Sequence, residues 1–376
     1  MIPVMKPWLG EEEVAAAAAT IRSGWVAQGP RVTEFEDRFA EYVETASGIA
    51  VSSCTTGLHV VLHAMGVGPG DEVVVPSLSF IASANAPRYV GATPVFADVD
   101  PVTQNLTADS IAAVVTDRTA AVIAVHQVGM PLDLNEIRSL CTRRGIQIIE
   151  DAACAAGSVH RDKMIGAGPD PVVFSFHPRK ILTTGEGGMV VTSDNHLAAR
   201  LRTLRQHAMS VSAFDRHDRK ASDFEEYPEL GFNFRMTDIQ AAIGIVQLAK
   251  LDAMIERRRL LADLYGEGLA SIPGLTVPVD PPYGQTNYQS YTVVLSTDFP
   301  VDRNTLIELL HARGLSTRRG VMAAHREPTF RDHPHGDLTI TERLAADSII
   351  LPLYHEMTEA DVDYAVGAIA ELAEDA

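Results

Sequence analysis

Cysteine is scarce. Cys54, Cys141 and Cys154 are the only three in 376 residues, and no two stand at a disulfide-like or metal-like spacing. That scarcity excludes a disulfide-stapled scaffold and a structural zinc site, and it fits a reducing compartment such as the cytoplasm. No run approaches the roughly 18 apolar residues of a membrane-spanning helix, and the opening MIPVMKPWLGEEE lacks the basic and apolar segments of an export signal. Basic residues are also few: 31 Lys and Arg face 49 Asp and Glu, for a formal charge of -18, which argues against a nucleic-acid surface. The one dense basic run, Arg257-Arg258-Arg259, falls in a helical pattern and is expected to be a solvated helix face.

What is present is an alternation of short apolar, β-branched runs with helical patterns. Residues 72–76, 120–125, 146–149, 172–176 and 189–192 read as buried strands, with crossover helices at 58–65 and 134–144. This implies an α/β fold whose mostly parallel sheet is covered by helices on both faces. The expected organisation is a large α/β domain over residues 1–250 and a small α+β domain over 251–376. Within the first, residues 207–230 turn polar and lose periodicity, as an interface arm or lid would. Helix resumes near Met236, capped by Thr237 or Asp238, and is expected to run through Leu251. The second domain reads as a strand at 288–295, a helix at 302–313, a strand at 315–318, an extended piece at 348–353, and a last helix opened by Thr358 and Asp361 in a capping box.

Several residues at strand ends carry chemistry. Lys180 follows the run 172–176 and precedes Thr183-Thr184-Gly185-Glu186-Gly187-Gly188, a setting that suits an amine able to form an imine. Asp151 ends the apolar run 146–149, where open α/β sheets present functional groups; it could cap a helix or pair with a protonated ring nitrogen. Ser52-Ser53-Cys54-Thr55-Thr56-Gly57 leads into a helix whose free N–H groups suit a phosphate, with Ser175 offering another hydroxyl. Phe80 follows another strand end and could stack on a planar ring. Each has an ordinary explanation alone. Together they compose a pyridoxal 5'-phosphate site: charge partner, imine, phosphate cup and stacking face. His126, at a further strand end, is either near that site or a satisfied core histidine.

The chain resembles the DegT/StrS family of sugar aminotransferases, among the fold-type I pyridoxal phosphate enzymes, nearly from end to end. The resemblance rests on Ser23-Gly24-Trp25 with Gly29-Pro30, Gly70-Asp71-Glu72-Val73, Gly91-Ala92-Thr93-Pro94-Val95, Glu150-Asp151-Ala152-Ala153, the stretch from Ser175 to Gly188, Gly231-Phe232-Asn233-Phe234-Arg235-Met236 and Leu351-Pro352-Leu353-Tyr354. It implies that Lys180 holds the cofactor as a Schiff base and carries the proton, that Asp151 meets the pyridine nitrogen, that Phe80 stacks, and that Thr55, Thr56 and Ser175 hold the phosphate. It further implies a homodimer with shared active sites, in which Asn233 reaches the neighbouring subunit's cofactor. Cys154 stands where many relatives have Gln, Cys54 where Gly is frequent and Ile181 where Asn is frequent. A thiol at 154 is a weak hydrogen-bond partner.

The implied reaction takes an amino group from an amino acid, L-glutamate being expected, and gives it to a keto sugar on a nucleoside diphosphate, with ping-pong kinetics. Lysine rather than histidine at 180 separates the chain from the family's dehydratase branch. Trp25, His177, Arg318, Arg319 and His325 fall where relatives shape the sugar or nucleotide pocket; no metal is called for. Two other readings remain: a ketocyclitol aminotransferase of the scyllo-inosose type, and a regulator that binds pyridoxal phosphate without catalysis.

Overall fold

A computed structural model describes residues 1–210 and 226–374. The apolar runs become β1 (Ser47–Val51), β2 (Glu72–Pro76), β3 (Thr93–Ala97), β4 (Thr119–Val125) and β5 (Gln147–Asp151), followed by a short hairpin of β6 (Val159–His160) and β7 (Lys163–Met164), then β8 (Val172–Ser175) and β9 (Gly188–Thr192). All but the hairpin join one seven-stranded sheet, ordered β1-β9-β8-β5-β4-β2-β3. β9 runs against both its neighbours and every other pairing is parallel.

Strand side chains alternate between two separate cores, the period-2 geometry of a sheet buried on both faces. Ala50, Val74, Val122, Ile148, Phe174 and Met189 pack on one side; Ile49, Val73, Val75, Ile123, Val173 and Val190 pack on the other. Of the helices α1 (Glu11–Ser23), α2 (Pro30–Tyr42), α3 (Cys54–Ala64), α4 (Ile81–Tyr89), α5 (Ala108–Ala112), α6 (Leu134–Arg144) and α7 (Asn195–Leu204), α2 and α6 cover the first face while α3, α4 and α7 cover the second. Phe35 and Phe39 of α2 are fully buried, each worth about 1.5–3 kcal/mol of burial.

Beyond α8 (Asp238–Ala249) and α9 (Leu251–Leu269), a second sheet forms from β10 (Leu275–Thr276), β12 (Tyr291–Leu295), β13 (Arg318–Arg319) and β14 (Ser348–Leu351), in the order β10-β12-β14-β13, while β11 (Gly284–Gln285) joins the β6–β7 hairpin. The helices α10 (Arg303–Ala312), α11 (Thr339–Asp347) and α12 (Glu359–Glu374) accompany it, and α9 and α12 share its core through Leu261, Tyr265, Ile369 and Leu372. Thr358 and Asp361 exchange the bonds of a capping box before α12. Residues at the start of the chain also pack here: Ile2 bridges Leu315, and Leu353 donates its N–H to the Val4 carbonyl.

Several expectations need correction. The strand expected over 288–295 begins only at Tyr291, because Tyr288 adopts φ 48° and Asn287 and Gln289 turn their polar groups into a structured loop. The helix expected through Leu251 ends at Ala249 and restarts, with Lys250 at the break tied to Glu12 and Glu13. Thr237 caps α8, whereas Asp238 turns away and accepts from the N–H groups of Gly29, Arg31 and Val32 at the start of α2. Much of the 207–230 segment, residues 211–225, lies outside the described residues; the described flanks pair Asn233 with Gln206 and Ser210 with Glu226.

The basic run is not a solvated face. Arg258 is 3% exposed and donates to the carbonyls of Tyr288 and Gln289 at 2.9 and 2.6 Å, Arg259 reaches the Thr286 carbonyl and Asp280, and Arg257 reaches the Met357 carbonyl. A loop with no ladder of its own has carbonyls to satisfy, and the guanidinium fork satisfies two at once. Burial pushes the Arg258 pKa down to about 10. Arg258→Leu should orphan both carbonyls and cost about 2–5 kcal/mol of stability, read as a lowered midpoint in denaturant unfolding.

Candidate active site

The parallel strands end together, and the site is built where they end. Asp151 is the last residue of β5 and is 4% exposed. One carboxylate oxygen accepts the Ser83 hydroxyl at 2.7 Å and the other the Ala153 N–H at 3.1 Å, with the Cys54 thiol 3.8 Å away. Among the described residues no Lys or Arg forms an ion pair with it. A buried carboxylate held by neutral donors with no direct ion pair suits a charged ligand atom. Ser83, on the first turn of α4, was not anticipated; the only signal in the sequence was its helical spacing from Ser79, whose hydroxyl it meets at 3.0 Å.

Lys180 sits on a closed loop after β8. Phe176 ties both sides of that loop, donating its N–H to Gly187 and accepting from the Thr184 N–H and the Thr183 hydroxyl. At the tip the Lys180 N–H returns to the His177 carbonyl, and Gln289 holds the Arg179 carbonyl at 2.9 Å. The ammonium donates to the Cys154 sulfur at 3.1 Å. Asn287 fixes the Cys154 loop through its carbonyl at 2.8 Å and comes so near Gly129 that a Cβ there, at φ 96°, would meet it at 2.0 Å. The 286–289 loop, supported from below by Arg258 and Arg259, thus fixes both the lysine and the thiol.

Burial disfavours the Lys180 charge, but the Cys154 sulfur, with Asp151 adding to it, more than offsets this, and the lysine pKa rises. An amine must be neutral to attack a carbonyl. Protein stripped of cofactor should therefore load added pyridoxal phosphate faster as pH rises from about 7 to 9, followed by the growth of its absorption band. Burial and the Asp151 carboxylate push Cys54 well above the usual thiol range, against a smaller pull from Lys180, so that thiol stays neutral.

The remaining cofactor candidates gather around this pair. The N-terminus of α3 opens beside β9: a Cβ on Gly188 would stand 2.6–2.7 Å from the backbone of Ser53 and Cys54, so only glycine permits the approach. The Thr56 hydroxyl is engaged in the cap with Ser53, leaving the first-turn N–H groups of Cys54 and Thr55 and the Thr55 hydroxyl for an anion. Ser175 closes β8 opposite Gly188. Phe80, 68% exposed at the head of α4, borders a cavity of about 460 Å³ with Lys180, Cys154, Gln289, Arg318 and Arg319. An unpaired buried carboxylate, an amine, a glycine-cleared helix start and an exposed aromatic fit pyridoxal phosphate part by part.

Other candidates lie apart from that cavity. Trp25 borders a separate cleft with Pro30, Glu34 and Asp238. His325 bridges the Ser77 hydroxyl at 2.6 Å and Glu342 at 3.3 Å, joining β2's end to α11. His177 accepts the Arg179 N–H with its own ring, which shapes the lysine turn. His126 is fully buried, receiving the Leu132 N–H and facing Glu150 at 3.0 Å, and is a satisfied core histidine. Asn233 is exposed, beside the Phe234 carbonyl that receives the Ser52 N–H. Among the described residues no group of three His, Cys, Asp or Glu could hold a metal ion, and no helix is long and apolar enough to cross a membrane.

Comparison with known proteins agrees with this geometry. Residues 7–370 match the model of the DegT/DnrJ/EryC1/StrS aminotransferase family. Among solved structures, the aminotransferase TlmJ from Streptoalloteichus hindustanus is 37% identical over 99% of this chain and 98% of its own, with a TM-score of 0.91. DesV from S. venezuelae, solved in complex with a ketimine intermediate, is 35% identical over 97% and 95%, with a TM-score of 0.90. DesI, solved in the presence of its TDP-sugar product, is 32% identical over 100% and 93%, with a TM-score of 0.88. The chain belongs to the DegT/DnrJ/EryC1/StrS aminotransferase family and is a pyridoxal phosphate-dependent aminotransferase.

Proposed function

We propose that this enzyme moves an amino group from L-glutamate to a keto sugar carried on a nucleoside diphosphate, working as a cytoplasmic homodimer. The observation that carries the reading is that Lys180, bonded to Cys154, and the buried Asp151, held by Ser83 with no direct ion pair among the described residues, come together at the strand ends. The sugar substrate is supported by the relatives, since DesI is described with a TDP-sugar product. Pyridoxal phosphate, when bound, supplies an electrophilic carbon for the amino group and a ring that withdraws electrons from it.

In this reading the chain's own residues bind, orient and move protons. Lys180 would anchor the cofactor and, as a free amine beside it, would be the group placed to hold and move the proton taken from the donor's Cα. Asp151 would be the carboxylate that faces the ring nitrogen, with Ser83 fixing its orientation. Phe80 covers one ring face, and the start of α3 with Thr55 and Ser175 receives the phosphate. Asn233, exposed in one protomer, reaches the partner's phosphate. Residues 1–250, apart from the first few that pack with the second sheet, form the cofactor domain, and residues 251–376 form the small domain that presents Arg318 beside Lys180.

The test is the second half-reaction. Enzyme converted to its pyridoxamine phosphate form by L-glutamate should be returned to the pyridoxal phosphate form by nucleotide-linked keto sugars and ignore free ketocyclitols. Return by a ketocyclitol alone would overturn the sugar assignment.

A further inference from the structure

The mechanism uses Lys180 and Asp151 and gives Cys154 no task. Of the three cysteines, Cys54 and Cys141 are buried and Cys154 is partly exposed. Cys154 and Lys180 border the same cavity of about 460 Å³, and the sulfur accepts from the lysine amine at 3.1 Å. One loop fixes both partners: Asn287 donates to the Cys154 carbonyl at 2.8 Å, and Gln289 donates at 2.9 Å to the carbonyl of Arg179, the residue before the lysine. The Lys180 N–H returns to the His177 carbonyl and completes the hold. A nucleophilic sulfur and a nucleophilic nitrogen are thereby kept side by side where a small molecule can enter.

Such a pair has a defined chemistry with hydrogen peroxide. The Cys154 thiolate attacks one peroxide oxygen, the S–O bond forms as the O–O bond breaks, and the departing hydroxide takes a proton from the Lys180 ammonium and leaves as water. Lys180 is then a neutral amine beside a sulfenic sulfur. Its lone pair attacks that sulfur, the S–N bond forms, the S–O bond breaks, and the hydroxyl leaves as water with a proton from the nitrogen. The sulfur is oxidised by two electrons, the peroxide is reduced to water, and the protein becomes two hydrogen atoms lighter. A thiol reductant returns both hydrogens and is itself oxidised to a disulfide.

We propose that Cys154 and Lys180 are a peroxide-sensitive modification site, joined by a sulfenamide bond that withholds Lys180 from the cofactor until a thiol reductant releases it. The proposal rests on the aminotransferase reading above, in which Lys180 is bound to the cofactor in the resting enzyme and free once an amino donor has converted the cofactor to pyridoxamine phosphate. The contact of Lys180 with Cys154 is one that a free amine makes, so the converted enzyme is the form that bridges. Cys54 is not the alternative partner for peroxide. Its thiol lies against the Asp151 carboxylate and the Val173 carbonyl, and burial together with the Asp151 charge keeps it protonated.

The experiment treats holoenzyme with hydrogen peroxide, both in its resting form and after conversion by L-glutamate and removal of the donor, and follows intact mass and peptide maps. Full-length chain stripped of cofactor with hydroxylamine is treated alongside, because its Lys180 is free whatever reaction the enzyme catalyses. The expected result is a loss of two hydrogen atoms, reversed by dithiothreitol and mapped to a peptide that joins residue 154 to residue 180. It should form at least about 10-fold faster in converted than in resting enzyme, since a nitrogen already bonded to the cofactor cannot attack the sulfur. Cys154→Ser and Lys180→Ala should lose the joined peptide and Cys54→Ser should keep it; Lys180→Ala should stop at a sulfenic acid that dimedone captures at Cys154. A disulfide between Cys54 and Cys154, a Cys154 that never joins Lys180 in the converted or stripped protein, or equal rates in resting and converted enzyme would overturn the proposal. A stripped chain that bridges, in an enzyme whose absorbance no amino donor changes, would sink the aminotransferase reading and leave the modification site standing.

Discussion

Lys180→Ala is expected to slow turnover by about 10⁴-fold or more, because in the proposed mechanism one group both anchors the cofactor and relays the proton. The loop around it should survive, since its closure depends on the Phe176, Thr183 and Thr184 bonds and on Gln289 holding the Arg179 carbonyl, none of which involves the lysine side chain. The variant should therefore retain parental stability and lose the absorption band of lysine-bound cofactor. Small added amines should return part of the rate, because they restore a proton carrier without its tether. A stable variant retaining a tenth of parental turnover would remove Lys180 from the mechanism.

Asp151→Ala should cost about 10²–10³ in turnover, the scale on which a preorganised charge facing a reacting system acts. Asp151 is buried, bonded to Ser83 and Ala153 and free of any ion pair among the described residues, so its charge is available to a ligand. Asp151→Asn separates charge from shape: the amide can still meet Ser83 but cannot balance a protonated ring nitrogen. The asparagine variant should therefore be almost as slow as the alanine variant while folding like the parent. Turnover measured alongside thermal unfolding distinguishes the two; an asparagine variant of near-parental rate would reduce Asp151 to a positioning residue.

The strands most readable in the sequence are those buried on both faces, such as residues 172–175 and 189–192, because continuous apolar runs leave little else to be. β3 escaped because Pro94 argues against a strand, yet β3 is the sheet's outer strand, where a missing N–H is tolerated. Lys180 and Asp151 stood out through their chemistry at strand ends. Ser83 did not, since a serine on the first turn of a helix is ordinary until its partner is known. Asp238 and Arg258 were misread for one reason: Asp238 caps a helix far away in sequence, and Arg258 feeds carbonyls of a loop that follows it. Local pattern says nothing about which distant backbone groups lack partners. Trp25 and His325 illustrate the converse, positions suggested by resemblance that lie outside the lysine cavity.

The most direct test of the central claim is the absorption spectrum of the purified protein before and after L-glutamate. The band of lysine-bound pyridoxal phosphate should give way to that of pyridoxamine phosphate as one equivalent of 2-oxoglutarate appears. A protein that binds added cofactor at Lys180 and keeps its band unchanged with glutamate and with other amino donors would contradict the account.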